Sequence, residues 1–359
     1  MKKGLFVLML ALSVAPAVRA EYVFNKGEKI RLGVGGYARF FTGKMEGYQY
    51  NNAMKSEGYI KPYFDINEDL TLTGKIAGRY ILNDRFPSKN KFKMYDVYGT
   101  IKSKRFGTLD IGDLRSVGYM LHIGPKDVGL LDIDDSDIGY FYSTPKNFYA
   151  PTLTYLNTDS RDLKVSYTTP SIEGVKWGIS AVQSDDNKPD TCADGGLKMD
   201  HGKGVITAAQ YEKEFDFFKM GMSAGFAYYH DDKYYLKNKD VDGNHSEYNV
   251  GTRIEKGDFS VGASYRRFFY QDKLNIENVY AWTAGVAYDT DVYGVSLGYM
   301  RSNAEHVQKN RYEHLMLSGK YQMNDYMKWA VSTGRLIFES DTAPRHDGYF
   351  GIAGLEFKI

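Results

Sequence analysis

The chain of 359 residues holds a single cysteine, Cys192. No intrachain disulfide can form, and no second thiol is present to complete a thiolate metal site. Cys192 stands in the polar stretch 190–196 and reads as an incidental exposed thiol. Long apolar runs are also missing. After residue 20 nothing approaches the ~20 consecutive apolar residues that a membrane-spanning helix needs. Nor is there an excess of one charge: 46 basic side chains face 45 acidic ones. Setting aside Lys2, Lys3 and Arg19 leaves two more acidic than basic, which argues against a nucleic-acid partner. The seven histidines are scattered, and none stands beside a serine elbow or at metal-ligand spacing. A hydrolytic site needs a positioned base with a nucleophile or acid partner. The reading is therefore a non-enzyme with no cofactor and no resident metal.

What the chain does have is an export signal and a rhythm. Residues 1–20 carry Lys2 and Lys3, an apolar run over 5–14, and Val18-Arg19-Ala20 as a small-residue cleavage site. This is the layout of a secretory signal peptide, and the run is too short for an anchor. From about residue 29 to the end, segments of roughly ten residues alternate apolar and polar, and short and long connections take turns between them. In the segment 70–80, Leu70, Leu72 and Ile76 oppose Thr71, Thr73, Lys75 and Arg79. The short turns are built of Asn, Asp and Gly, which suit tight hairpins. With 31 Tyr and 20 Phe the chain also has aromatics for two interfacial girdles.

The expected fold is all-β, a transmembrane antiparallel barrel over 21–359, a single domain of sixteen strands. These strands are 30–41, 58–66, 70–80, 92–102, 107–114, 161–169, 175–183, 204–214, 217–229, 248–255, 258–268, 279–288, 292–301, 312–323, 327–338 and 349–359. Polar stretches such as 185–202 and 230–246 read as outer loops, and 115–160 is the longest connection. A soluble sandwich is disfavoured, since it would bury the aromatic-rich face that alternates with charge on nearly every strand.

Several short stretches resemble the Gram-negative general porins, the trimeric sixteen-strand family, and they occur in the family's order. Glu68-Asp69-Leu70 with Lys75 is similar to its turn and third strand, where an acidic pair precedes Leu. Residues 106–112, Phe-Gly-Thr-Leu-Asp-Ile-Gly, resemble the strand that leads into its pore-constricting third loop. Residues 165–170 and the C-terminal 354–359 also match. The chain departs where the family has Arg after the fifth-strand glycine, since Asp113 stands there. Lys61 replaces a pore-facing Arg of the second strand, and Ile359 the usual terminal Phe. The resemblance implies a homotrimer in the outer membrane, lipid around it, and a third loop (115–160) folded into the pore.

In that arrangement loop acids face a basic wall. Asp127, Asp132, Asp134, Asp135 and Asp137 fall within eleven residues, and Arg39, Lys61, Lys75 and Arg79 share the expected lumen face, with Arg31 and Arg335 nearer strand ends. Opposed charges across a narrow aqueous opening would orient polar solutes and disfavour apolar ones. Clustered carboxylates could instead bind calcium, but the glycine and terminal Glu of a calcium loop are missing. The function expected is passive diffusion of ions and small hydrophilic solutes. A substrate-specific channel, with tyrosines as a sliding track, is the alternative; an adhesin or a barrel enzyme ranks lower. The charges leave ion preference open.

Overall fold

A computed structural model describes residues 21–26, 29–85, 90–134, 137–142, 150–156, 163–183, 199–200, 203–236, 239–270, 277–305, 309–341 and 343–358. The signal segment 1–20, Asp135, Ile359 and Cys192 lie outside them. The described residues form eighteen strands: β1 Glu21–Lys26, β2 Ile30–Met45, β3 Asn51–Asp65, β4 Leu70–Asn83, β5 Lys91–Ser103, β6 Gly107–Asp113, β7 Leu163–Thr168, β8 Val175–Gln183 and β9 Met199–Asp200. There follow β10 Lys203–Glu214, β11 Lys219–Leu236, β12 Lys239–Lys256, β13 Phe259–Tyr270, β14 Glu277–Asp289, β15 Tyr293–Glu305, β16 Lys309–Asn324, β17 Met327–Ser340 and β18 Ala343–Lys358.

Sixteen of them close a barrel in which every neighbour is antiparallel, and β18 pairs with β2 to complete the ring. Closure is what a sheet in lipid requires, because an open edge would leave backbone N–H and C=O groups without partners. The two remaining strands are accessory. β1 pairs with the first half of β2, starting at Glu21 opposite Gly35, just beyond the Lys358–Tyr37 pair where β18 ends. The two-residue β9 pairs with the outer part of β11.

The side-chain period sorts the barrel into two faces. Outward stand exposed apolar residues such as Val97, Ile111, Val250, Val286, Leu297 and Val331. Inward stand buried small and polar ones such as Ser180, Ser223, Ser264, Ser296, Ser318 and Ser332. This inverts a soluble barrel. Outward aromatics gather near both rims: Phe106, Phe217, Phe259, Tyr293 and Tyr321 at the turn end, and Tyr80, Phe92, Phe269 and Tyr349 at the other. Even the outward Trp177 is satisfied, donating its Nε1–H to Thr207 Oγ1 at 2.9 Å.

The turn end is tight. Asn67 Oδ1 accepts from the backbone N–H of Asp69 and Leu70, at 2.9 and 2.8 Å, closing the hairpin between β3 and β4. At the other end several expected loops are strand instead. Most of 230–246 belongs to the β11–β12 hairpin, and β3 begins at Asn51 rather than at 58. The ladder runs on beyond the apolar band because hydrogen bonding does not stop there, whereas the apolar alternation does.

Candidate functional site

The described residues of the segment between β6 and β7 lie against the inner wall. A one-turn helix, Val117–Met120, starts it, and Val117, Leu121, Ile123, Val128, Leu130, Leu131, Ile133, Ile138, Phe141 and Leu156 are all buried. Its backbone is held by wall serines. Ser180 Oγ accepts from Val117 N–H at 3.0 Å, Ser223 Oγ from Ile123 N–H at 2.8 Å, and Ser296 Oγ from Val128 N–H at 3.2 Å. Inward glycines leave space between these pins. A Cβ at Gly178 would sit 2.8 Å from Val117 Cγ1, at Gly262 2.8 Å from Pro125 Cα, and at Gly354 2.9 Å from Leu130 Cδ1. At Gly251 it would lie 1.7 Å from the carbonyl oxygen of Ile123, a position no side chain can share. The segment thus follows the inner wall from β8 to β18.

This docking uses most of the aspartate run. Asp127 accepts from Gly129 N–H (2.8 Å), Ile133 N–H (3.2 Å) and Ser296 Oγ–H (2.9 Å). Burial pushes its pKa up, against those hydrogen bonds. Asp134 accepts from Thr154 through both its N–H, at 2.7 Å, and its hydroxyl. Asp137 is buried in a two-oxygen contact with Lys55 Nζ of β3, at 2.8 and 2.6 Å. Asp132 is exposed, and its Oδ1 accepts from Asp134 N–H at 3.1 Å. Three of the four described aspartates therefore fasten the segment rather than face open lumen.

The basic residues do gather on one wall, interleaved with tyrosines and shared carboxylates. Arg39 donates to Glu356 at 2.6 Å, and Lys328 and Lys358 approach the same carboxylate at 3.7 and 3.6 Å. Lys75 reaches Asp96 at 2.5 Å and Glu57 at 3.4 Å, while Arg79 donates to Glu57 at 2.8 Å. Lys61 lies 4.5 Å from the ring centre of Tyr59. Arg31 pairs with Asp65 at 2.8 Å, and Arg335 with Asp347 at the opposite end of the barrel. Sequence reasoning missed Lys55, Glu57, Asp96 and Glu356. It also missed the inward Gly-x-Ser-x-Gly spacing at 221–225 and 294–298, which marks the docking path.

Behind the segment lies a buried polar cluster. Arg266 and Glu247, both fully buried, pair at 2.6 Å. His122 Nδ1 meets Asn249 Nδ2 at 2.9 Å. Desolvation, then Arg266 and Arg253, lowers the His122 pKa from 6.5 to about 4. Its other neighbours are the Tyr155 ring and Asp134, whose Oδ2 lies 3.9 Å from Nε2. A histidine kept neutral in the folded state opposes folding once the unfolded chain takes up its proton. Stability is expected to fall between pH 6.5 and about 4, by up to about 3 kcal/mol, and to level off below. Asp127 contributes with the opposite sign, so the difference in thermal midpoint between wild type and H122Q isolates the effect. A pH-independent difference would refute it.

A family model described as Gram-negative porin matches residues 5–341. No curated protein matches the chain. Among solved structures, the anion-selective porin from Comamonas acidovorans is 11% identical with a TM-score of 0.65, covering 92% of this chain and 100% of that one. Salmonella typhi OmpF, in complex with daunomycin, is 15% identical with a TM-score of 0.62, covering 94% and 100%. OmpT, an outer membrane protein of Vibrio cholerae, is 13% identical with a TM-score of 0.63, covering 93% and 99%.

Proposed function

The chain belongs to the Gram-negative porin family, and from that premise we propose that it is a passive, water-filled diffusion channel for ions and small hydrophilic solutes. As a porin it is an outer-membrane channel. The observation that carries the passive reading is the inverted polarity of the closed barrel, apolar outside and charged within, with its third loop fixed to the inner wall. A segment held by serine and glycine contacts needs no energy source and no moving domain to keep its place.

The finer parts of the reading follow from the same premise. The signal peptide is cleaved after Ala20, the mature chain sits in outer-membrane lipid, and three copies assemble, as OmpT of Vibrio cholerae does in its trimer form. The reading assigns it no catalytic role. The pore wall is formed by Arg39, Lys61, Lys75 and Arg79, and Asp132 is the loop acid best placed to meet a solute. The transverse field first expected from the whole aspartate run is weaker in this reading by the charge of Asp137, which Lys55 pairs.

Purified protein in a planar bilayer is expected to give large conductance steps in groups of three. Small steps blocked by a single sugar would replace this reading with a substrate-specific channel. Folded protein without conductance would refute the pore altogether.

A further inference from the structure

We propose that the outer face of the barrel over β10–β15 holds a lipid with an anionic phosphate headgroup, its acyl chain in an apolar groove and its phosphate on Arg267 and Arg301. The inference goes beyond the channel reading and needs only a barrel set in a membrane. The groove has a volume of 680 Å³ and lies across β10–β14. Ala209, Ala224 and Ala263 stand outward there as small residues, and Val250, Tyr265 and Trp282 flank them. Ala224, Val250, Tyr265 and Trp282 are successive cross-strand partners, and the next partner in that row is Arg301 of β15. Arg267 is the next outward residue after Tyr265 on β13, toward the loop end.

Aromatic rings mark the level at which the apolar band ends. Ring centre to ring centre, Tyr265 lies 6.0 Å from Tyr248 and 6.2 Å from Tyr280, and Trp282 lies 5.2 Å from Tyr299. The arginines stand at this level. Arg267 makes no ion pair among the described residues; it hydrogen-bonds the Tyr265 side chain, and its guanidinium carbon lies 5.2 Å from the ring centre of Phe269. Arg301 approaches Glu313 at 3.8 Å, but the same oxygen already accepts from Nε of Arg311 at 2.7 Å. The Nε–H groups of Arg267 and Arg301 have no hydrogen-bond partner. Arg311 also lies 3.5 Å from Glu339, so three guanidinium groups meet two carboxylates. Among the described strands, outward arginines stand on β13 and β15–β18 alone.

An anionic phosphate supplies the missing charge, and its oxygens match the planar N–H forks of the two guanidinium groups. A choline headgroup carries its own ammonium beside the phosphate and has less net attraction to offer. The groove adds a second contact. A gap on a lipid-facing wall forfeits dispersion contacts, and an acyl chain lying along the alanines restores them. Both contacts fall on one molecule because Arg267 directly follows the groove residue Tyr265 on the same face of β13. The loop end faces outward in a barrel with short periplasmic turns, which places this lipid in the outer leaflet.

Trp282 lines the groove and reports its occupant; with W177F and W329F it is the only tryptophan left. This parent barrel is reconstituted in phosphatidylcholine bilayers, and phosphatidic acid with brominated acyl chains is titrated in, with brominated phosphatidylcholine as reference. Brominated phosphatidic acid should quench Trp282 as though enriched at least about threefold over its share of the bilayer. R267Q with R301Q should remove the enrichment. A263L, which fills the groove and keeps both arginines, should also remove it. Quenching equal to the phosphatidylcholine reference shows that each variant is still folded in the bilayer. Equal quenching by the two lipids in the parent would overturn the inference, as would an enrichment that survives R267Q with R301Q. An enrichment that survives A263L would overturn the acyl-chain contact. Loss of the enrichment on adding inorganic phosphate at constant ionic strength would assign the arginines to free phosphate instead. A Trp282 that neither lipid quenches would mean that a second copy covers this face, and would overturn the inference too. None of these outcomes bears on conductance, so the channel reading stands or falls separately.

Discussion

Asp137→Ala is expected to release the far half of the third loop and to destabilise its docked state by about 3–5 kcal/mol, because it strands a buried lysine. Lys55 and Asp137 are each at most 7% exposed at the side chain, and both carboxylate oxygens contact Nζ. Removing one partner takes the two-oxygen contact from the other charge in a place water hardly reaches. Asn51 and Asn83 both donate their side-chain N–H to the Tyr140 carbonyl, at 2.6 and 2.9 Å, and their Oδ1 atoms already accept from the backbone N–H of Arg85, at 3.0 and 3.2 Å. Single-channel records of D137A should show a noisier and larger conductance than wild type. Lys55→Met combined with Asp137→Leu should restore most of the docking, since a well-packed apolar pair can replace a buried ion pair at little cost. If D137A conducts like wild type with the same noise, the pair is not what fixes the loop.

Gly251→Val should have the second large effect. Valine favours a strand, so the β12 backbone tolerates it. The added Cβ would nonetheless occupy the place of the Ile123 carbonyl, 1.7 Å away. The chain at Ile123 must then move off the wall and lose its N–H bond to Ser223 Oγ. Overpacking of this kind costs about 1–3 kcal/mol, and here it acts at the middle one of the three serine-held positions, Val117, Ile123 and Val128. A change of conductance of about twofold or more is expected, with the barrel still folded. Gly351→Val provides the control, because a Cβ there meets nothing within 4 Å. Identical currents from the two variants would mean that the loop does not rest on the glycine path.

Much of the site was hidden from the sequence for identifiable reasons. Lys55 and Glu57 lie on the first part of β3, where Asn51-Asn52-Ala53-Met54-Lys55-Ser56-Glu57 is polar on both faces and reads as loop. Alternation fails there because the strand has left the apolar band. The same failure concealed the outer reach of β11 and β12. The aspartate run was visible, but its use was not. A carboxylate in a loop looks the same in sequence whether it faces water or accepts a backbone N–H. Asp134 became a fastening group only because Thr154, twenty residues on, is brought beside it.

The sequence by itself determined that this chain is a membrane barrel of sixteen spanning strands, because period-two alternation is a local property and lipid enforces it on each strand separately. The short Asn, Asp and Gly turns were legible for the same reason. The tertiary structure alone decided which charges face one another: Arg39 meets Glu356 across 317 positions, and Lys55 meets Asp137 across 82. Ring closure and the inward folding of one loop bring such residues together, and electrostatic compensation depends on distance in space rather than along the chain.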